Sequence, residues 1–417
     1  MTHSQSTNPV FAPQPQRENN IETIHHDVVI VGGGTAGVTV AAQLTKGWFN
    51  RTDVAVIDPS DKHYYQPAWT LVGGGAFRKQ DTERDQAKVL PTKARWIQDA
   101  VTEFDPEHNR LMTRDGKTIE YKYLVVGAGI QINWNGIRGL KENIGRHGVC
   151  SNYSYGTVDY TWECVRNFKG GVALFTQPTG AIKCGGAPQK ICYLAEDYFR
   201  RNGTRQNAQV IFAAPSQAIF GVQKYRDALE QVVDRKGVET MFRNNLVEIR
   251  AATKEAVFEN LDSGERTVVP FDMIHVTPPM GPPDFIASSP LADESGWVDV
   301  NKSTLQHVRY PNVFGLGDSS NLPTSKTGAA IRKQAPVVVK NLRSLMAGRP
   351  LQATYNGYTS CPIVTGYGTM MLAEFGYDGT PMESFPINQA KERWSMWLLK
   401  KFGLPQLYWN GMLKGRA

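Results

Sequence analysis

The stretch His26-Asp27-Val28-Val29-Ile30-Val31-Gly32-Gly33-Gly34-Thr35-Ala36-Gly37 decides the fold. Four consecutive apolar residues after Asp27 read as a strand buried on both faces, as in a parallel sheet. The glycines that follow keep the spacing GxGxxG at Gly32, Gly34 and Gly37, and an Ala-rich helix runs on from Val38 to Leu44. A second apolar strand, Val54-Ala55-Val56-Ile57, ends at Asp58, 21 residues past Gly37. Each part has a task in holding a dinucleotide. Gly32 permits the tight turn, Gly34 lets backbone approach a pyrophosphate, and Gly37 lets the helix sit close on the strand. The helix N-terminus at Thr35 and Ala36 attracts the phosphates, and Asp58 accepts from a ribose hydroxyl. Strand, helix and acid at these distances specify a Rossmann-like unit far better than the glycines alone.

Working outward, the 417 residues suffice for two to three domains of about 150 residues each. Five cysteines, an odd number with no CxxC pair, argue against a disulfide scaffold and against a zinc or iron–sulfur centre, so no metal is expected. Residues 1–23, rich in Gln, Asn and Pro, read as a disordered leader without an apolar export signal. No apolar run approaches the roughly 18 residues of a membrane span. The net charge of +7 first suggests an anionic partner, but residues 391–417 hold six cations against one anion. Those residues also hold three of the nine Trp, so the charge is local and a nucleic-acid partner is not expected.

Two later strands specify the dinucleotide. Tyr121-Lys122-Tyr123-Leu124-Val125-Val126-Gly127-Ala128-Gly129 and Tyr310-Pro311-Asn312-Val313-Phe314-Gly315-Leu316-Gly317-Asp318 each close on small residues. They resemble the second and third FAD motifs of the two-dinucleotide-binding-domain, glutathione-reductase-like flavoproteins. That resemblance implies FAD as cofactor, with Asp318 on the ribityl chain, Gly127, Gln66 and Lys326 lining the site, and a helix from about Thr327 facing the flavin pyrimidine. The expected class is α/β: two Rossmann-like domains, the FAD domain discontinuous, plus a C-terminal amphipathic membrane-binding segment. The boundaries expected are 24–144 and 270–348 for FAD, 145–269 for the second domain, and 349–417 for the C-terminal segment. In the second domain the turn after Val172-Ala173-Leu174-Phe175 has Pro178 and a long loop where a second GxGxxG would seat NAD. Hydride donation by NADH is therefore disfavoured.

Cys184 stands in a Gly-rich loop before a helix, flanked by Lys183 and Lys190, a setting that lowers a thiol pKa. Cys361 precedes Pro362 in what reads as a polar turn. Taken singly, each thiol could equally be a buried structural one. Their contexts resemble those of the type II sulfide:quinone oxidoreductases: Lys183-Cys184-Gly185-Gly186-Ala187-Pro188-Gln189-Lys190, His275-Val276-Thr277-Pro278-Pro279-Met280 and Gly357-Tyr358-Thr359-Ser360-Cys361-Pro362. So do His63-Tyr64-Tyr65-Gln66-Pro67, Ala218-Ile219-Phe220-Gly221-Val222 and Leu322-Pro323-Thr324-Ser325-Lys326-Thr327. The similarity runs from about residue 26 to about 415.

This resemblance implies a Cys184–Cys361 redox disulfide, with or without a bridging sulfur, that is opened by hydrosulfide. It places a persulfide on Cys361 and a thiolate on Cys184, passes the sulfane sulfur to a thiol or sulfite, and delivers electrons through FAD to a quinone. The sequence by itself does not say which cysteine carries the persulfide. Lys190 and Lys326 are candidate electrostatic supports. Cys164 and Cys192 read as packing residues. Cys150, 34 residues before Cys184, occupies the place of a covalent FAD link in the type I branch, but Ser151-Asn152-Tyr153-Ser154 follows the non-covalent type II pattern. Tyr367, Phe375 and Phe385 are candidate quinone neighbours. The rivals are an NADH:quinone oxidoreductase of the same fold, a sulfide dehydrogenase reducing a cytochrome subunit, and a flavin-bearing sensor without turnover.

The tail supplies the expected membrane contact. Trp394, Trp397, Leu398 and Phe402 share one helical face with Lys391, Lys400 and Lys401 at its margins, and Gly403-Leu404-Pro405 separates a second apolar run containing Trp409. Such a helix pair suits the interface of an anionic bilayer. A peripheral protein follows, expected on the cytoplasmic face of a bacterial cell membrane in preference to the mitochondrial inner membrane, with a homo-oligomer left open.

Overall fold

The computed structural model describes residues 23–47 and 52–417. The leader expected over 1–23 lies outside the described residues, apart from Thr23. Strand Thr23–Val31 runs into the Gly-rich turn and helix Thr35–Leu44, and strand Val54–Ile57 lies parallel beside it, with Val28 opposite Val54. Strand Thr118–Val126 pairs parallel on its other side, and Val313–Gly315 pairs parallel with Thr118–Val126. Residues about 190 positions apart thus share one sheet, and its completely buried strands Val28–Ile30 and Leu124–Val126 form the core of the first unit. The discontinuity follows from this pairing.

Two glycines are required sterically. At Gly32, with φ +100, a side chain would meet the Gly127 carbonyl at 2.6 Å. At Gly37 a Cβ would lie 1.8 Å from the Gly32 oxygen, so helix and turn can approach only without one.

The second unit is a parallel sheet of Val149–Cys150, Met273–His275, Gly171–Thr176, Ala208–Ala214 and Glu239–Phe242. Met273–His275 pairs with Gly171–Thr176 here, which corrects the expected boundary: the chain returns to the FAD unit only after His275. Helix Ala187–Arg201 covers this sheet, with Pro188 in its first turn where no N–H is needed. An antiparallel meander of Asn244–Arg250, Glu255–Asn260 and Arg266–Pro270 extends the unit.

Cys361 lies in strand Thr359–Gly366 of a hairpin with Thr369–Phe375, opposite Ala373, and is 1% exposed. The polar, accessible turn expected there is corrected: Pro362 sits in a two-stranded ribbon, where an edge tolerates the missing N–H.

The C-terminal segment also differs from expectation. In place of a helix pair broken at Gly403, one helical run passes from Trp394 to Lys414, widened to π-turns at Leu399–Gly403 and Leu407–Gly411. The first widening makes room for Pro405, whose ring would clash with the carbonyl four residues back in a regular α-helix.

Candidate active site

The loop before helix Ala187–Arg201 turns at Cys184, a non-glycine residue held at φ +52. The Cys184 N–H donates to the Lys326 carbonyl at 2.9 Å, and its own carbonyl accepts from Ala187 at 2.8 Å. These bonds clamp an unfavourable backbone state between the two units, the kind of strain that collects at reactive sites. Cys361 arrives from the hairpin and places its Sγ 3.9 Å from that of Cys184. Lys190, one turn into the helix and 3% exposed, brings its Nζ to 3.2 Å from the Cys184 sulfur.

The charge on the pair is one-sided. The Cys361 S–H and, after it, the Lys190 ammonium hold the Cys184 thiol well below the ordinary range, against the opposing effect of burial. The Cys361 thiol is pushed well above it, by its hydrogen bond to Cys184 and then by burial. With Lys190 at 3.2 Å, the thiolate is favoured at Cys184 over Cys361. The lowered Cys184 pKa was expected from its flanking lysines, of which Lys190 supplies the contact; the raised Cys361 thiol was not.

A further cation completes the pocket. Lys400, assigned above to the membrane margin, is instead 3% exposed, with its Nζ on the Pro67 carbonyl at 2.8 Å. Burial and then the charge of Lys190 push its pKa down to about 7, while the sulfurs of Cys184 and Cys361 oppose them. The signal was present: Lys400 lies three residues after Trp397 and four after Met396, both buried, so it shares their inward face.

The other candidates divide. Lys326 donates to the Asp318 and Ser320 carbonyls at 2.7 and 2.9 Å, its ammonium lies 3.7 Å from the Trp297 ring centre, and burial lowers its pKa to about 8. Gln66 accepts from Lys183 at 2.9 Å and so bridges the two units. Cys192 is fully buried, and burial pushes its thiol up. Cys150 is also fully buried, and its thiol meets Cys164 and Thr161 of the helix Val158–Asn167. The quinone candidates do not converge. Tyr367 sits at the tip of the hairpin and Phe375 at its base, six or more residues or about 20 Å apart along a strand. Tyr367 donates to the Gly74 carbonyl, Phe375 packs on Phe220, and Phe385 is exposed.

The membrane candidates are likewise split by the helix. Trp394 and Phe402 point outward at 66% and 58% exposure, and Leu398 is half-buried. Trp397 and Trp409 are buried, a correction whose cause is packing: Trp397 lies edge-on to Tyr367 beside Leu71, Leu194 and Leu372. Trp409 stands against His63 and Tyr65, under the Arg84 guanidinium. Among the described residues, no helix is long and apolar enough to cross a membrane.

The dinucleotide cradle fits FAD. The Asp318 side chain is half-buried, with Oδ1 shielded from solvent and lacking any partner, as a ribityl hydroxyl would require. Its electrostatic neighbours are Lys326, Lys183 and Cys184, so this end of the cradle abuts the thiol pair. Around Gly34 the space is open, and Asp58 already receives the N–H groups of Gly33 and Ser60 at 2.5 and 2.8 Å, in ribose position.

Residues 26–155 match the pyridine nucleotide-disulphide oxidoreductase family. The chain is 51% identical over 93% of its length to the mitochondrial sulfide:quinone oxidoreductase of Dictyostelium discoideum, covering 86% of that protein. It is 47% identical over 94% of its length to the mitochondrial enzyme of the same name from Mus musculus, covering 87% of it. The crystal structure of the Aquifex aeolicus sulfide:quinone oxidoreductase superposes with a TM-score of 0.80 at 20% identity, over 93% of this chain and 92% of that one, which shows the shared fold. The chain belongs to the sulfide:quinone oxidoreductase family, whose members are FAD flavoproteins.

The site geometry carries a pH prediction. Because the Cys184 pKa is lowered, the reduced wild type keeps its reactive thiolate as pH falls below the ordinary thiol range. Lys190→Gln removes the cation, raises that pKa, and should slow iodoacetamide alkylation of Cys184 at pH 6 to 7 by about tenfold, one pKa unit. Equal pH profiles for the two proteins would contradict the assignment.

Proposed function

We propose, on the premise of that family membership, that this chain oxidises hydrogen sulfide and delivers the electrons to a quinone. The observation that carries the proposal is the pair of thiols 3.9 Å apart, with charge concentrated on Cys184 by Lys190, next to the Asp318 end of the FAD cradle.

In the oxidised enzyme Cys184 and Cys361 are joined as a disulfide. A gap of 3.9 Å also leaves room for one intervening sulfur with two S–S bonds of about 2.05 Å. Hydrosulfide attacks one sulfur and expels the other as a thiolate. The better leaving group is the sulfur whose thiolate is better stabilised, which is Cys184 beside Lys190. Attack therefore falls on Cys361, which gains the outer sulfur as a persulfide while Cys184 departs as thiolate. Cys361 is also the carrier that the family resemblance implies. Lys190 and Lys400 offset the negative charge that accumulates when an anion joins a thiolate in a buried site.

A thiol or sulfite then takes the outer sulfur, leaving Cys361 as a thiol. Re-forming the S–S bond from that thiol and the Cys184 thiolate releases two electrons and one proton. FAD, when bound at Gly32, Gly34, Thr35, Ala36, Gly37, Asp58, Gly127 and Asp318, supplies the two-electron acceptor for that re-formation and the link to quinone. Lys326 orders the Asp318 loop through its two carbonyl contacts. The loop at Pro178 provides no glycine seat for NAD, which disfavours the NADH-dependent alternative. Cys184→Ser and Cys361→Ser should each retain FAD yet abolish sulfide-dependent flavin reduction; full reduction in either variant would overturn the mechanism.

The quinone requires access to a bilayer. Trp394 and Phe402, with Lys401 beside Phe402, remain the outward apolar and basic features of the C-terminal run. The word mitochondrial in the relatives' names supports a mitochondrial membrane over the bacterial one first expected. Deleting the tail would also remove Lys400 and Trp409, so substitution of the outward residues is the cleaner test. Burial of each such side chain contributes about 1.5–3 kcal/mol. Trp394→Ser with Phe402→Ser should therefore weaken partition into anionic vesicles by at least about tenfold without lowering turnover of a soluble quinone. Unchanged partition would refute this face as the membrane contact.

A further inference from the structure

The C-terminal run has an inward side that the sulfur chemistry leaves unexplained. Tyr408, 4% exposed and more than 370 residues from the Gly-rich turn, places its hydroxyl 2.9 Å from the Thr35 hydroxyl and 2.6 Å from Nε2 of His63. His63, 3% exposed, directs its Nδ1 at the Gly33 carbonyl and the Gln86 side-chain oxygen, both at 3.1 Å. Gln86 also donates its amide to the Gly33 carbonyl at 2.8 Å.

Proton positions follow from the partners. Two acceptors face Nδ1, so Nδ1 carries the hydrogen. Burial pushes the His63 pKa down to about 4, so the ring is neutral and Nε2 is an acceptor. Tyr408 therefore donates to His63, and Thr35 donates to Tyr408. The result is a directed chain from Thr35 through Tyr408 and His63 to the Gly33 carbonyl, which begins and ends within the phosphate-binding turn.

Packing fixes the far end of this chain. The Tyr408 ring lies 4.7 Å from that of Tyr65, and Trp409 is held beneath the Arg84 guanidinium at 4.1 Å. Beyond it, Lys46 donates to the Gly415 carbonyl at 2.9 Å, and Gly415 lies so close to the helix Thr35–Leu44 that a Cβ there would meet the Ala42 backbone at 2.9 Å. The last residues thus lie along the same helix whose first turn receives the pyrophosphate.

We infer that residues 404–417 form a clasp on the FAD-binding turn, with Tyr408 as a positioning residue that fixes Gly33, Gly34 and Thr35 through His63 and so retains the cofactor. Buried hydrogen bonds of this kind are costly to leave half-made, so loss of the Tyr408 hydroxyl strands the His63 Nε2 and releases the Thr35 side chain. The turn then becomes free to sample conformations that no longer match a pyrophosphate, and preorganisation of the site is lost.

The test uses purified full-length holoenzyme and reads FAD release directly, without sulfide or quinone. Tyr408→Phe keeps the ring packing and removes only the hydroxyl. After dilution, free-flavin fluorescence should rise about tenfold faster in Tyr408→Phe than in wild type, while the FAD-free forms stay folded at the assay temperature and their unfolding temperatures differ by no more than the few degrees that one lost hydrogen bond accounts for. A second variant, truncated after Gly403, should release FAD at least as fast. Equal release rates for Tyr408→Phe and wild type would overturn the clasp. So would a lowered unfolding temperature of the FAD-free Tyr408→Phe protein that accounts for the faster release, because the hydroxyl would then serve general stability. Both readouts are independent of sulfide oxidation, so they stand or fall apart from it.

Discussion

The contact on which the site depends is the one between the buried Lys190 ammonium and the half-buried Cys184 sulfur, at 3.2 Å. An unpaired thiolate in such surroundings would take up a proton. The cation and the Cys361 S–H remove that option, and they make the two cysteines chemically unequal. In the proposed mechanism the leaving group, the position of the persulfide and the requirement for a nearby two-electron acceptor follow from that inequality. The fold supplies the contact by using the first turn of helix Ala187–Arg201 for Lys190 and a strained residue just before it for Cys184.

The C-terminal run joins the two halves of the chemistry. Its first π-turn carries Lys400 toward the thiols, and its second carries Tyr408 toward the FAD turn. Its outward face leaves Trp394 and Phe402 in the open. π-turns shift the side chains that follow them around the helix, which lets one segment serve three directions within twenty residues. The basic, aromatic tail that seemed devoted to a bilayer thus belongs equally to the interior.

What the sequence disclosed and what it withheld have physical causes. The strand–turn–helix at 26–44, the acid at Asp58 and the paired strands around Leu124 and Phe314 were legible because buried parallel strands and phosphate turns have local signatures. Cys184 and Cys361 were legible through their surroundings. The lowered Cys184 pKa was legible from its lysines, but the raised Cys361 thiol was not, because it depends on a 3.9 Å approach between residues 177 positions apart. Trp397, Lys400 and Trp409 misled because helical periodicity finds an apolar stripe without saying whether protein or lipid covers it. Tyr367 and Phe375 looked like neighbours in sequence, yet the hairpin holds them at opposite ends.

The central claim is that sulfide, acting through the Cys184–Cys361 pair, reduces the bound flavin and that a quinone reoxidises it. Anaerobic titration of the holoenzyme in the presence of sulfite, followed by flavin absorbance, tests this most directly. The account predicts complete bleaching at one sulfide per FAD, recovery of the oxidised spectrum on addition of one equivalent of quinone, and no bleaching by NADH. Flavin that stays oxidised with sulfide but bleaches with NADH would contradict it.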